Sequence, residues 1–222
     1  MNDYSMSENL STTLDGTQPS SCHNPTAEKV GKTVASCLVF LVSLAGNTVI
    51  GIIVYRTKTM RKPINFLIVN MAMSDLLLPI FSIPQSIQQI YTNYWLISGP
   101  LGQALCKLAY FLPYVSGLVS TQSLVLISVD RFGAVVFPLR PPLISSKLCR
   151  FFILTTWIVA MLILSPELVA SKLLEYPGGY VCVKRWNEVF GDTSFLYHLP
   201  AIVVAFFIPL ALIAILYIII FL

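Results

Sequence analysis

The sequence predicts an all-α membrane protein that crosses the bilayer five times, and three observations lead there. The 222 residues are 56% hydrophobic and only 11% charged, whereas a soluble domain carries about 25% charged residues. Apolar runs recur near Val34 to Tyr55, Ile64 to Ser82, Leu105 to Val129, Phe151 to Leu164 and Pro200 to Leu222. Most are close to the roughly 20 residues needed to span hydrocarbon. Inside lipid each run must satisfy its own backbone hydrogen bonds, which selects helices, and the alternation of a membrane β-barrel is absent. The expected spans are 32–55, 64–90, 103–136, 148–170 and 196–222, following a disordered tail over 1–29.

The net charge of +4 is explained by location. Arg56, Lys58, Arg61 and Lys62 crowd one short loop, and Arg140, Lys147 and Arg150 crowd the loop two spans later. Five spans put both loops on one side, and the positive-inside rule makes that side cytoplasmic and the N-terminus external. The clusters therefore read as juxtamembrane charge rather than a nucleic-acid surface. The tail is polar, carries Asp3, Glu8 and Asp15, and lacks the apolar core of a cleavable signal, so the first span is expected to act as a signal anchor. Asn9-Leu10-Ser11 is a glycosylation acceptor on the external side, while Asn24-Pro25-Thr26 is excluded by its proline. Of five cysteines, Cys106 and Cys182 lie at predicted external ends, where a bridge is geometrically sensible. Cys37 and Cys149 sit in or beside spans as small apolar residues.

The first span buries Gly46-Asn47, and an amide at that depth seeks an interhelical partner. The second starts after Pro63, places Asp75 near its centre, and carries Pro79 and Pro84, so a kink is expected toward its external end. A mid-membrane carboxylate costs about 2.5–3.5 kcal/mol on insertion scales, so Asp75 must face the bundle; it is either a structural buried acid or an ion or proton site. The third span runs from Cys106 to Asp130-Arg131-Phe132, a rise of roughly 37 Å that puts one end near each membrane face. The fourth carries Trp157 and Pro166, and the loop after it, with Gly178-Gly179 and Cys182, is long enough to fold back over the bundle. The fifth holds Pro209 and Tyr217 and ends without a charged anchor. We read the chain as truncated inside or just beyond that helix.

In order, Gly46-Asn47, Asn70 to Asp75, Trp95, Cys106, Ser120, Asp130-Arg131, Pro138-Leu139, Trp157, Pro166, Cys182, Pro209 and Tyr217 resemble the rhodopsin-like family of G-protein-coupled receptors. The resemblance implies the first five helices of a seven-transmembrane-helix bundle in the plasma membrane. It implies a Cys106–Cys182 disulfide, and a buried site at Asp75, with Asn47 and Ser120, that binds sodium and couples ligand to activation. It also implies an inner lock at Asp130, Arg131 and Phe132, with Tyr217 as the arginine's active-state partner. Phe132 replaces the usual Tyr or Trp, Met71 replaces a leucine, and the sixth and seventh helices have no counterpart, so this chain alone should not signal. Pro113 stands where amine receptors have an aspartate, which disfavours an amine ligand. Pro84, Pro166 and a loop with Lys184, Arg185 and Glu188 look more like neuropeptide receptors, whose similar loops often form a β-hairpin. An external peptide is therefore the expected ligand and a heterotrimeric G protein the expected transducer, with receptor oligomers as further partners. Gln85, Gln89, Tyr110, Tyr114, Glu167 and His198 are the expected outer-pocket residues. A natural five-helix isoform that regulates full-length receptors is the alternative. A transporter or channel would need paired charges or an inverted repeat, and an enzyme would need a metal or nucleophile motif; neither pattern occurs.

Overall fold

The computed structural model describes residues 25–92, 94–139, 143–191 and 203–221. Helix α1 (Pro25–Arg56) opens on a proline whose fixed φ suits a first turn. Glu28 in that turn favours the positive end of the helix dipole and pairs with Lys32 at 2.5 Å. These local terms correct the expected tail boundary, since residues 25–29 are helical. The sides of α1 are largely exposed, with Val54 its only buried residue, as befits an apolar helix whose neighbours are mostly lipid.

The second span, Pro63–Tyr91, comprises α2 (Pro63–Asp75) and α3 (Leu77–Tyr91), interrupted at Leu76. The break lies mid-span rather than toward the outer end, and Pro79 explains it. Pro79 has no N–H for the Asp75 carbonyl four residues upstream, and its ring crowds that carbonyl. Pro84, inside α3, does not break the helix.

Helix α4 (Gly99–Val136) is a 38-residue rod that starts four residues earlier than expected and tolerates Pro113. It packs against α2, α3, α5 (Ser146–Ala170) and α7 (Ile208–Phe221). Small buried residues on α4, among them Ser116, Ser123 and Ser128, allow the close approach that membrane helices use. Phe111, Val115, Leu118 and Val119 meet Ala160 of α5 in one core cluster. At the opposite end Leu67, Ile144 and Cys149 form a second. There Gly133 lets the Leu143 side chain lie against the helix, since a Cβ would fall 2.1 Å from its Cδ1 and turn that half-exposed side chain aside.

Beyond α5, strands β1 (Ser171–Tyr176) and β2 (Gly179–Lys184) form an antiparallel hairpin with Leu173 opposite Cys182. Its turn needs glycine: Gly178 sits at φ 109° and Gly179 at φ 156°. A short helix α6 (Trp186–Phe190) follows. The last described segment is a π-helical turn, Val203–Phe207, running into α7. Pro209 cannot donate to the carbonyl four residues upstream, which favours such a widened turn. Among the described residues four segments are long and apolar enough to cross a membrane, and α7 is a shorter apolar helix. The hairpin and the Cys106–Cys182 disulfide mark one end of the bundle. Arg56, Lys58, Arg61, Lys62, Lys147, Arg150 and Arg131 mark the other, where Cys149 Sγ lies 3.1 Å from the Pro63 carbonyl.

Candidate functional site

The hairpin end is built on a crosslink. Cys106, in the second turn of α4, is bonded to Cys182 in β2, with Cα atoms 5.7 Å apart. Further ties fix the lid: the Trp95 amide donates to the Tyr180 carbonyl at 2.6 Å, and Gln103 Oε1 accepts from the Leu173 amide at 3.1 Å. Tyr94 Oη donates to the Pro177 carbonyl at 3.3 Å. On the exposed side Glu188 binds both Lys172, at 2.8 Å, and Arg185. The Lys172 hydrogen bond, reinforced by that from Arg185, holds the Glu188 carboxyl below its ordinary range.

This arrangement carries Lys184, the last residue of β2, in among three of the expected pocket residues. Its Nζ donates to Tyr114 Oη at 3.1 Å and lies 4.2 Å and 4.8 Å from the ring centroids of Tyr114 and Tyr110. Tyr110 and Tyr114 are one turn apart on α4, so their side chains share a face. Tyr110 Oη donates to the Cys182 carbonyl at 3.4 Å. Across the gap, Glu167 near the end of α5 keeps its side chain only 7% exposed, with Oε2 3.0 Å from Lys184 Nζ. The contact is an ion pair off hydrogen-bond alignment, and Oε2 has no aligned donor. Breaking a buried pair by deleting one partner costs about 3–5 kcal/mol, and the 20% exposure of Lys184 puts this pair at the low end.

The other expected pocket residues are not part of this group. Gln85 is buried on α3. Gln89 lines a separate cleft of about 660 Å³ between α1 and α3, beside Lys29 and Lys32. His198, like Asn9, lies outside the described residues. Lys184 itself was legible as a loop cation, but no sequence signal told where its side chain goes.

At mid-span Ser120 Oγ donates to Asp75 Oδ1 and shares a 2.8 Å hydrogen bond with Ser74 Oγ. Asn47 is not drawn into this group. Its Nδ2 donates to the Ser43 carbonyl one turn back at 2.9 Å, the nearest acceptor a helical amide can find. One carboxylate and two hydroxyls make an all-oxygen donor set, which suits a hard cation such as sodium.

A second polar group lies deeper and was not expected as a unit. Asn70 Nδ2 donates to Ser123 Oγ at 3.0 Å and Thr156 Oγ1 at 3.5 Å, while Trp157 Nε1 donates to Asn70 Oδ1 at 2.8 Å. Asn70, buried at 6% exposure, thereby joins α2, α4 and α5, and the sequence signal was an amide in a largely apolar helix. At the far end Asp130 is half-buried, Arg131 is exposed, and no ion pair within 4.0 Å joins them among the described residues. Phe132 is half-buried beside them, and Tyr217 stands on α7, a helix packed against α4.

The chain matches the family described as "7 transmembrane receptor (rhodopsin family)" over residues 46–222. It is 32% identical to the RYamide receptor of Drosophila melanogaster over 78% of this chain and 37% of that one. It is likewise 32% identical to the Substance-K receptor of Homo sapiens, over 80% of this chain and 44% of that one. A QRFP-like peptide receptor of Branchiostoma floridae is also 32% identical, over 82% of this chain and 48% of that one. The chain thus spans less than half the length of these relatives.

Proposed function

Because this chain belongs to the rhodopsin family of seven-transmembrane receptors, a family of receptors and not of enzymes, we propose that it receives an external peptide at the hairpin end and addresses a heterotrimeric G protein at the Arg131 end. The observation that carries this reading is the disulfide-anchored hairpin, which holds Lys184 over Tyr110, Tyr114 and Glu167 at the end of the bundle opposite Arg131. Relatives named for RYamide and for a QRFP-like peptide support the ligand class. The basic residues Arg56, Lys58, Arg61, Lys62, Lys147 and Arg150 gather at the Arg131 end, which supports a cytoplasmic placement of that end. It follows that the N-terminus is outside and Asn9 is accessible to glycosylation.

Signalling is a shift between two arrangements, driven by a peptide that binds one better than the other. Arg131 is the group offered to the G protein, because a guanidinium can exchange one set of oxygen partners for another, and Tyr217 is its partner in the signalling arrangement. Asp75, Ser120 and Ser74 would hold a sodium ion in the resting arrangement, where the ion would supply charge neutralisation of the buried carboxylate.

The test is peptide-evoked nucleotide exchange on G protein in membranes bearing this chain as part of the receptor. A peptide response that is lost in Arg131→Ala while peptide binding persists is the expected result. Activation by a lipid or a small amine, and by no peptide, would refute the reading.

A further inference from the structure

The group around Lys184 is a complete cation site whose occupant comes from the lid. Glu167 supplies a carboxylate with its side chain 7% exposed and an Oε2 lacking any aligned donor. Tyr110 and Tyr114 turn ring faces toward the same point, with Lys184 Nζ 4.8 Å and 4.2 Å from their centroids. A buried carboxylate flanked by aromatic faces is the chemistry that selects an ammonium or guanidinium group. The helices hold the acid and the rings, while the cation arrives on the last rung of the hairpin, opposite Ser171. Lys184 is the better candidate for displacement, because its side chain is 20% exposed and reaches the cage from the lid on a flexible stem. The nearby carboxylate Glu188 is already engaged by Lys172 and Arg185.

We propose that Lys184 is a tethered stand-in for a basic group of the ligand. An arginine or lysine side chain, or an amino terminus, of the incoming peptide takes its place against Glu167, Tyr110 and Tyr114, and the displaced lysine side chain moves out to water while the crosslinked hairpin stays in place. This rests on the reading that a peptide binds at the hairpin end. The reciprocal arrangement, in which Lys184 stays and binds a ligand carboxylate, leaves Glu167 without its counter-ion and is disfavoured.

The test uses the full chain in lipid nanodiscs and follows acetylation of Lys184 by an activated ester. Chymotryptic peptides are quantified by mass spectrometry, with Lys172 as internal reference. Nα-acetyl-arginine amide, the neutral Nα-acetyl-norleucine amide and the anionic Nα-acetyl-aspartate amide are compared at matched ionic strength. The cation is expected to accelerate Lys184 acetylation severalfold, the neutral and anionic probes to leave it unchanged, and Glu167→Gln to react fast with no probe present. No acceleration by the cation in the wild-type chain, equal acceleration by the neutral probe, or protection by the anion overturns the proposal. Its failure is separable from failure of the receptor reading. A peptide-evoked G-protein response with Lys184 indifferent to cations removes the cage alone, whereas cation displacement without a response to any peptide removes the peptide reading and leaves the cage.

Discussion

Replacing Asn70 by alanine removes the node that joins three helices, and the cost can be worked from its hydrogen bonds. Ser123 Oγ keeps the Val119 carbonyl as an acceptor at 2.8 Å, and Thr156 Oγ1 keeps the Ile153 carbonyl at 2.7 Å, so neither hydroxyl is orphaned. Trp157 Nε1 is orphaned, because Asn70 Oδ1 is its acceptor at 2.8 Å. An unmade buried bond costs about 1–3 kcal/mol, while interhelical hydrogen bonds in membranes average about 0.6 kcal/mol because the unfolded chain also finds partners. The expected loss is therefore about 2 kcal/mol, a fall of roughly 5 °C in melting temperature for a chain of this size. Cys149, a buried free thiol at 1% exposure, can report unfolding through a thiol-reactive dye once Cys22 and Cys37 are changed to serine. In a double-mutant cycle, Asn70→Ala and Trp157→Phe should couple by about 1 kcal/mol. Additivity of the two within about 0.3 kcal/mol would show that the bond contributes nothing, and the reasoning would fall.

Other outcomes follow from the same structure. Gly133→Ala should change the melting temperature by the equivalent of less than about 1 kcal/mol, because the half-exposed Leu143 can turn aside and alanine is favoured over glycine in a helix interior by about 1 kcal/mol; a large loss in the same melt would show that Leu143 is held in place. Cys106→Ser opens a crosslink across 76 residues, for which the chain-entropy model sets an upper bound of about 4.5 kcal/mol; limited proteolysis should then cut the hairpin first. The depressed carboxyl of Glu188 means its ties to Lys172 and Arg185 are fully present above the ordinary carboxylate pKa and are lost as pH falls through the lower folded-state value. Hydrogen-exchange protection across the hairpin, taken relative to the intrinsic rate at each pH, should therefore fall in acid, and Glu188→Gln should flatten that dependence. Sodium, compared with choline, should raise the melting temperature of the wild type, and Asp75→Asn should abolish the rise. A flat sodium response in the wild type removes the ion from the reading.

Much of this was legible because lipid imposes strong rules. Long apolar runs located the first four spans, whose helices start one to seven residues before the expected positions, and an intramembrane acid such as Asp75 had to find partners, which Ser120 provides. Cys106 and Cys182 stood at the same end once the spans were counted. What stayed hidden depends on helix rotation, which an all-apolar helix does not encode in its periodicity. Asn47 was expected beside Asp75 but is satisfied within its own turn, and Gln89 was expected in the pocket but faces a cleft against α1. The interruption at Leu76 was not foreseen, because Pro79 and Pro84 were counted together as kink makers of the outer half and only Pro79 lies within reach of it. Lys184 went unrecognised because the register of a hairpin, which decides where its last residue points, is set by the turn and the crosslink rather than by composition.

Helix α4, at 38 residues, measures about 57 Å end to end, well beyond the roughly 40–45 Å of a bilayer with its headgroups. Even a tilted rod of that length reaches past the lipid at one end or both, with the cystine and the guanidinium set inside its two ends, roughly 37 Å apart. Both groups are thus carried by one continuous helix, whose single interior proline, Pro113, is the place where the strut between them could bend.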